Sequence, residues 1–487
     1  MNKPLRRISL FCGLLVLALL IRTNWLQYVQ AEELSTRKEN RRVQIAQYAT
    51  ERGNIIVQGQ PVTGSAVTDG SDFKYKRTYI DGPLWAPVTG YASQAFGSTQ
   101  LENIDDGILT GNDDRLFFDR TIGMFTGEKK QGGNVVTTLN AAAQKAAYQQ
   151  LGTKKGAVAA IDPRTGAILA LVSTPSYDPS SFAGFSKDDG KAWRQLNDSE
   201  DKNLVNRALR ETYPPGSTFK VVTAAAALEN GAVTDIDAPT DTPEPYILPG
   251  TRTPMVNHAS GCEKSSLNNA LRVSCNSVFA NMGDKVGRDK MVDMAQKFGF
   301  NSTIDTPVRA FASVYDKTMG RDGNAQSSIG QFNTAATPLQ MAMVTAGIAN
   351  DGKLMKPYMV DQLTAPNLDV IEKHEPQEMS RPLSAANAQK VQKMMVNVVE
   401  NGTGTMAQIK GVTVGGKTGT AQHGEKNAKR PYAWFISYAK LPDGSSPVAV
   451  AVVIEDSAAD REDITGGGLA APVAKAVMEA VLKNNKG

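Results

Sequence analysis

The longest apolar run lies near the start of the chain. Residues 8–21 are interrupted only by Ser9 and Gly13, with Lys3, Arg6 and Arg7 ahead of the run and Arg22 and Trp25 behind it. Counted from Leu5 to Trp25, the segment has the roughly 20 residues that a helix needs to cross a bilayer core, with Arg22 snorkelling and Trp25 at the interface. Cations ahead of the run predict a cytoplasmic N-terminus and a single-pass protein of the cytoplasmic membrane whose bulk lies on the extracellular side. Residues 1–31 are therefore read as a tail and signal anchor. A cleaved signal peptide is the competing reading, with Val29-Gln30-Ala31 as its small-residue site, but the polar gap before that site is long.

Beyond the anchor the pattern changes twice. Residues 32–42 are charged and predict a membrane-proximal helix or stalk. Residues 44–79 carry short apolar runs, such as Ile55-Ile56-Val57, broken by Gly, and predict strands. Residues 85–132 are mixed and hold no catalytic cluster, so 32–152 reads as a non-catalytic, mostly β platform. Asn140 then opens an Ala-rich helical segment at 141–151. Residues 157–161 and 167–173 are β runs around Asp162-Pro163-Arg164-Thr165-Gly166, a hairpin turn. Strands at 412–414, 432–438 and 448–454 follow, and 469–482 is apolar at helical spacing. Five strands thus flank a long helical middle, 221–399. The pattern predicts an α+β fold for 153–487: a five-stranded antiparallel sheet flanked by helices, with an inserted helical lobe.

Composition narrows the classes. The 487 residues imply two or three domains, 41% hydrophobic and 21% charged residues are globular, and the net charge is only +4. No basic run interleaved with aromatics points to nucleic acid. Of three cysteines, Cys12 sits in the apolar run, and Cys262 and Cys275 are 13 apart. That spacing fits no zinc pattern. Export permits a disulfide between them; two separate buried thiols is the alternative.

The chemistry rests on three short motifs. Ser-x-x-Lys occurs at Ser35, Ser71, Ser199, Ser217 and Ser437. Only Ser217 and Lys220 follow a Pro-Pro-Gly entry and open an Ala-rich helix, which puts them on one helical face. There a desolvated, neutral Lys220 would take the Ser217 proton. Ser274-Cys275-Asn276 is a Ser-x-Asn element, with Ser266-Leu267-Asn268 as a competing copy. Lys417-Thr418-Gly419-Thr420 is the one Lys-Ser/Thr-Gly string in the chain and follows a strand. It offers an ammonium, two hydroxyls and backbone N–H groups, a set suited to a carboxylate.

In that order the three motifs resemble those of penicillin-binding proteins and serine β-lactamases. Further strings resemble class B penicillin-binding proteins: Arg52-Gly53-Asn54-Ile55, Asn206-Arg207-Ala208-Leu209, Ser328-Ile329-Gly330-Gln331, Thr337-Pro338-Leu339-Gln340, Gly402-Thr403-Gly404-Thr405 and Ala433-Trp434-Phe435. The resemblance spans nearly everything after Thr50 and is closest to an actinobacterial subgroup associated with cell division. It implies a platform followed by a penicillin-binding transpeptidase domain acting on D-Ala-D-Ala stem peptides carried by a lipid-linked precursor, with β-lactams as covalent ligands. It also implies a membrane glycosyltransferase or division complex as partner, and neither metal nor cofactor. Carried over by motif, Ser217 is the acylated nucleophile, Lys220 its base and Ser274 a proton shuttle. Asn276 would bind a substrate amide, and Lys417, Thr418, Gly419 and Thr420 the terminal carboxylate. The Ser217 and Thr420 N–H groups would form the oxyanion hole.

Other readings differ in what they need. A β-lactamase needs a deacylating Glu, and Glu263, the nearest string, lies before Ser274 with the wrong spacing. A bifunctional class A enzyme needs a glycosyltransferase domain, for which the stretch between anchor and hairpin is short. A D,D-carboxypeptidase shares all three motifs, and a non-catalytic β-lactam sensor or scaffold would keep the platform and anchor. His423 is expected in a solvent-facing loop, and Trp434 and Phe435 in the core.

Overall fold

The computed structural model describes residues 3–484, except 37–40, 70–71, 118–120, 122–124, 126, 128–129, 425–426 and 457–458. Lys3–Tyr28 is one 26-residue helix with no buried residue and a mean hydropathy of 2.0 over its most apolar stretch. At 1.5 Å per residue it is about 39 Å long, enough to cross a bilayer core of about 30 Å. Short helices at Ala31–Thr36 and Arg41–Gln47 follow.

The platform combines short strands with helices such as Gly82–Thr89 and Gln100–Ile104. Its largest sheet runs in the order Val370–Lys373, Val360–Thr364, Asn134–Thr137, Ile55–Val57, Gln60–Pro61. Only the central pair, Ile55–Val57 with Asn134–Thr137, is parallel. Two of its five strands thus come from a hairpin far downstream, inside the 153–487 segment, so platform and catalytic part share a sheet. Arg52 explains its own motif here. Its Nε lies 2.6 Å from Glu102 Oε2 and its Nη1 2.6 Å from Asp106 Oδ1, while Arg77 Nε lies 2.6 Å from the other Glu102 oxygen. Glu102 and Arg77 are fully buried, and two guanidinium groups hold the Glu102 carboxyl below its usual range against the opposing effect of burial.

The catalytic sheet has five antiparallel strands in the order Thr413–Ala421, Tyr432–Lys440, Val448–Asp456, Lys155–Ile161, Ile168–Thr174. Four of its strands read as apolar runs because both faces are covered, whereas Thr413–Ala421 carries Gly, Lys and Thr and runs seven residues beyond the expected 412–414. Trp434, Ile436 and Tyr438 enter one core with the buried helix Pro338–Ala349, whereas Ala433, Phe435 and Ala439 enter the other. The second face is closed by Ala471–Asn484 and Ala141–Leu151. Asn140 caps the latter helix, accepting from Ala143 N–H at 2.9 Å. Thr413–Ala421 is an edge strand, and its open side faces the helical lobe.

Candidate active site

The turn that carries Ser217 is built by two glycines. Gly216–Phe219 is a 3-10 turn running into the helix Lys220–Glu229, of which every residue but the last is buried. Gly216 has φ +52°, and a Cβ there would lie 3.2 Å from the Thr420 carbonyl oxygen. Its N–H donates to Gly330 O at 2.9 Å, and Gly330, at φ +74°, would drive a Cβ to 2.1 Å from Gly216 O. Both positions therefore require glycine. Thr223 Oγ1 donates to Ser328 O at 2.6 Å. The Ser328-Ile329-Gly330-Gln331 block thus buttresses the turn, a role its sequence did not announce.

Lys220 is fully buried, and its Nζ donates to Ser274 O at 2.8 Å, Ser274 Oγ at 3.2 Å and Asn276 Oδ1 at 2.7 Å. Among the described residues no hydrogen bond joins it to Ser217.

Ser274 ends the helix Leu267–Val273 in the left-handed region, φ +68° and ψ +43°. A non-glycine residue there carries backbone strain of about 1 kcal/mol or more, which persists where surrounding contacts over-determine it. Cys275 supplies two such contacts. Its N–H donates to Ala270 O at 2.8 Å, and it is disulfide-bonded to Cys262, with Cα atoms 5.6 Å apart. The competing Ser266 is only the cap of that helix, accepting from Asn269 N–H. Asn276 opens the next helix, and its Nδ2 donates to Val256 O at 2.7 Å.

The third motif meets the other two from the edge strand. Lys417 is fully buried, and its Nζ donates to Ser274 Oγ and Thr418 O, each at 3.0 Å. Thr418 Oγ1 lies 2.6 Å from Thr403 Oγ1, which gives the Gly402-Thr403-Gly404-Thr405 block its place. A Cβ on Gly419 would lie 3.0 Å from Pro215 O, so the strand and the Ser217 turn are in contact. Thr420 is exposed at the mouth. Gly466, which the sequence reading passed over, packs on the same strand, where a Cβ would meet Trp434 O at 2.0 Å and Gly419 O at 2.7 Å. The run Gly466-Gly467-Gly468 was the available signal.

Two buried lysines therefore share one hydroxyl oxygen, and among the described residues no carboxylate forms an ion pair with either. Burial, and secondarily the nearby Lys417, pushes the Lys220 ammonium well below its ordinary range. Burial pulls Lys417 down to about 7.

The remaining candidates fall outside this cluster. Ser199 lies in an exposed turn and Ser437 inside a strand, while Ser35 is in the helix after the anchor and Ser71 lies outside the described residues. His423 is half-buried rather than solvent-facing, stacked 3.8 Å from the Tyr432 ring with Nε2 on Arg430 O. Trp434 and Phe435 are core residues.

Comparison with known proteins gives a consistent picture. A family model described as the penicillin binding protein transpeptidase domain matches residues 156–479, and one described as the penicillin binding protein A dimerisation domain matches 52–135. The peptidoglycan D,D-transpeptidase PbpA of Mycolicibacterium smegmatis is 40% identical over 506 residues, covering 99% of each chain. Its namesake from Mycobacterium tuberculosis is 40% identical over 495 residues with the same coverage. Among solved structures, the ceftriaxone acyl-enzyme of penicillin-binding protein A from M. tuberculosis superposes with a TM-score of 0.85 at 40% identity, covering 90% of this chain and 100% of that one. The penicillin G acyl-enzyme gives 0.82 at 40% identity, covering 89% and 100%.

Proposed function

The chain belongs to the penicillin-binding protein transpeptidase family, and on that premise we propose that its reaction runs through Ser217, Lys220, Ser274 and Lys417. It is a serine-type peptidoglycan D,D-transpeptidase that β-lactams acylate. The observation that carries the assignment of residues is the pair of buried lysines converging on Ser274 beside the Ser217 turn.

Neutral Lys220 has two N–H bonds and one lone pair. Ser274 O and Asn276 Oδ1 accept and cannot donate, so they take the two N–H bonds and leave the lone pair for a hydroxyl proton, facing Ser274 Oγ at 3.2 Å before Ser217 Oγ turns to it for attack. Ser217 Oγ attacks the carbonyl of the D-Ala-D-Ala bond and gives its proton to Lys220. The N–H groups of Ser217, near the start of its turn, and of Thr420 receive the oxyanion. As the C–N bond breaks, the proton passes through Ser274 to the leaving D-Ala amine. The remaining ester is then attacked by an acceptor amine, which restores Ser217. Lys417, Thr418 and Thr420 hold the terminal carboxylate; Gly419 admits the peptide backbone, and Asn276 presents its amide to the substrate. A penicillin enters the same sequence but stops as the ester.

The N-terminal helix serves as a single-pass anchor. The cations before it favour placing the transpeptidase outside, where a lipid-linked precursor is presented. The division into anchor 1–31, platform 32–152 and transpeptidase 153–487 agrees with the order of the two family matches, at 52–135 and 156–479, although the helix Ala141–Leu151 packs on the catalytic sheet and the hairpin 360–373 docks back onto the platform. A membrane glycosyltransferase or a division complex is the partner that the family resemblance implies.

Intact-mass analysis after penicillin exposure tests the nucleophile. One long-lived adduct is expected on the wild type and none on Ser217→Ala, and an adduct elsewhere refutes the assignment. Incubation with a lipid-linked donor and an acceptor amine should yield cross-linked product. Release of D-Ala without cross-links would indicate a carboxypeptidase, and labelling with neither would indicate a sensor.

A further inference from the structure

The helix Asn276–Val286 begins at a residue that cannot cap it. The N-cap, Cys275, makes no side-chain cap hydrogen bond, because its sulfur is committed to Cys262. The first N–H groups of any helix need partners from outside it. Here they come from Asn257, about 20 residues upstream in sequence, just after the short strand Pro254–Met255. Asn257 Oδ1 accepts from the N–H of Asn276 at 2.7 Å and of Ser277 at 3.0 Å. Its Nδ2 donates to Ser277 Oγ at 2.9 Å and to Glu244 Oε1 at 3.0 Å. All four hydrogen-bonding positions of the amide are filled, and its orientation is forced, since a flipped amide would set NH2 against two N–H donors. The preceding residue fixes the other half of Asn276, through Val256 O and Nδ2. With Nδ2 committed there, Asn276 Oδ1 has to face Lys220.

We propose that Asn257 is a positioning residue for acylation: by capping the Asn276 helix from a separate hairpin, it sets the direction of the Asn276 carbonyl and through it the aim of Lys220. The inference rests on the assignment of Ser217 and Lys220 made above. Asn257 touches no reacting atom. It acts by holding one of the two acceptors that take the Lys220 N–H bonds, so that the lone pair is left pointing at a hydroxyl. The charged groups facing this cluster are Glu244 beside Asn257 and Lys417 across Ser274.

Two variants of the full chain test this by penicillin acylation, with the acylation rate constant resolved from the dissociation constant across pH. Asn257→Ala removes the cap. The rate constant should fall about tenfold with little change in penicillin affinity. Asn257→Asp keeps an acceptor on both N–H groups, and Asp caps helices as well as Asn, but its carboxylate faces Glu244 where Nδ2 had donated, so its Tm is measured alongside. Its carboxylate adds an anion one contact away from Lys220, favours the ammonium, and should raise the pH of half-maximal acylation by about one unit or less. A wild-type pH midpoint in Asn257→Asp overturns the proposal, as does a wild-type rate constant in folded Asn257→Ala, whatever happens to Tm. If Asn257→Ala fails to fold, Asn257→Asp decides alone. A wild type that penicillin does not acylate would instead overturn the assignment of function.

Discussion

Replacing Lys417 by Met removes one of the two lysines that share the Ser274 hydroxyl while keeping an unbranched side chain of similar length. Both Nζ atoms bond Ser274 Oγ, at 3.2 Å for Lys220 and 3.0 Å for Lys417. The two nitrogens therefore lie no more than about 6 Å apart, where like charges at an effective dielectric of about 20 repel by about 3 kcal/mol. That is equivalent to about two pH units. After burial, Lys417 is the second cause of the lowered Lys220 pKa, because its ammonium repels a charged Lys220. The repulsion therefore helps to keep Lys220 neutral in the wild type. In Lys417→Met that help is gone, and the Lys220 pKa moves up towards its ordinary value.

The assay is the acylation rate constant for penicillin against pH, separated from affinity because Lys417 is also assigned to the ligand carboxylate. The wild-type rate should rise with pH through a midpoint well below 10.5, and the Lys417→Met midpoint should lie higher by up to about two pH units. Stability gives a second readout of opposite sense. Between about 7 and 10.5 the unfolded chain holds the Lys417 proton and the folded chain does not, so wild-type stability rises with pH across that window. The full change corresponds to about 5 kcal/mol. Lys417→Met loses the Lys417 contribution but keeps that of Lys220, so its stability should rise less steeply with pH, and it should be the more stable protein at pH 7 and below. A midpoint that stays put or moves down would refute the reasoning, because Lys220 would then owe its neutrality to burial alone or would not be neutral.

Two further outcomes test the supports of the site. Breaking the Cys262–Cys275 bond should cost about 3 kcal/mol by the loop-entropy argument and should slow acylation as the Ser274 backbone relaxes. Calorimetry and penicillin kinetics with and without reductant check both, and an unchanged rate would detach the bond from the chemistry. Gly330→Ala places a Cβ 2.1 Å from Gly216 O, so the Ser217 turn has to move. Acylation should drop at least about tenfold while stability falls by about 2 kcal/mol, and wild-type acylation kinetics would show that the turn tolerates the shift.

Four strands of the catalytic sheet were legible because they are apolar runs; the hairpin around Asp162-Pro163 and the helix after Asn140 lie within a residue or two of the expected places, but the edge strand expected at 412–414 continues to Ala421 because its Gly, Lys and Thr residues hide a strand that lines the site. The platform was less so. Its sheet recruits Val360–Thr364 from more than two hundred residues downstream, and nothing in a four- or five-residue strand states which distant edge it will join. The helix 141–151 looked like the end of the platform by position, yet it packs with the C-terminal helix on the catalytic sheet, because its Ala and Leu face needed an apolar surface of matching shape.

The site divides along the same line. Ser217, Lys220, Ser274, Asn276 and Lys417 could be picked out because each sits in a short string with its own order in the chain. What the strings do not carry is which atom meets which. The bond that fixes Lys220 spans 54 residues and the one that brings Lys417 to Ser274 spans 143, and neither leaves a periodicity in between. Ser217 and Lys220 are three residues apart, yet among the described residues the buried amine bonds a backbone carbonyl and an amide oxygen from another helix. Each of those acceptors is held by something chemically ordinary: Ser274 by a disulfide and a helix-closing hydrogen bond, Asn276 by a carbonyl and by Asn257. A neutral lysine with both N–H bonds assigned has one direction left for its lone pair. In the proposed mechanism the aim of Lys220 is thus set by Ser274 O and Asn276 Oδ1, and part of what holds them, Asn257 and the Val256 carbonyl, lies outside the three motifs.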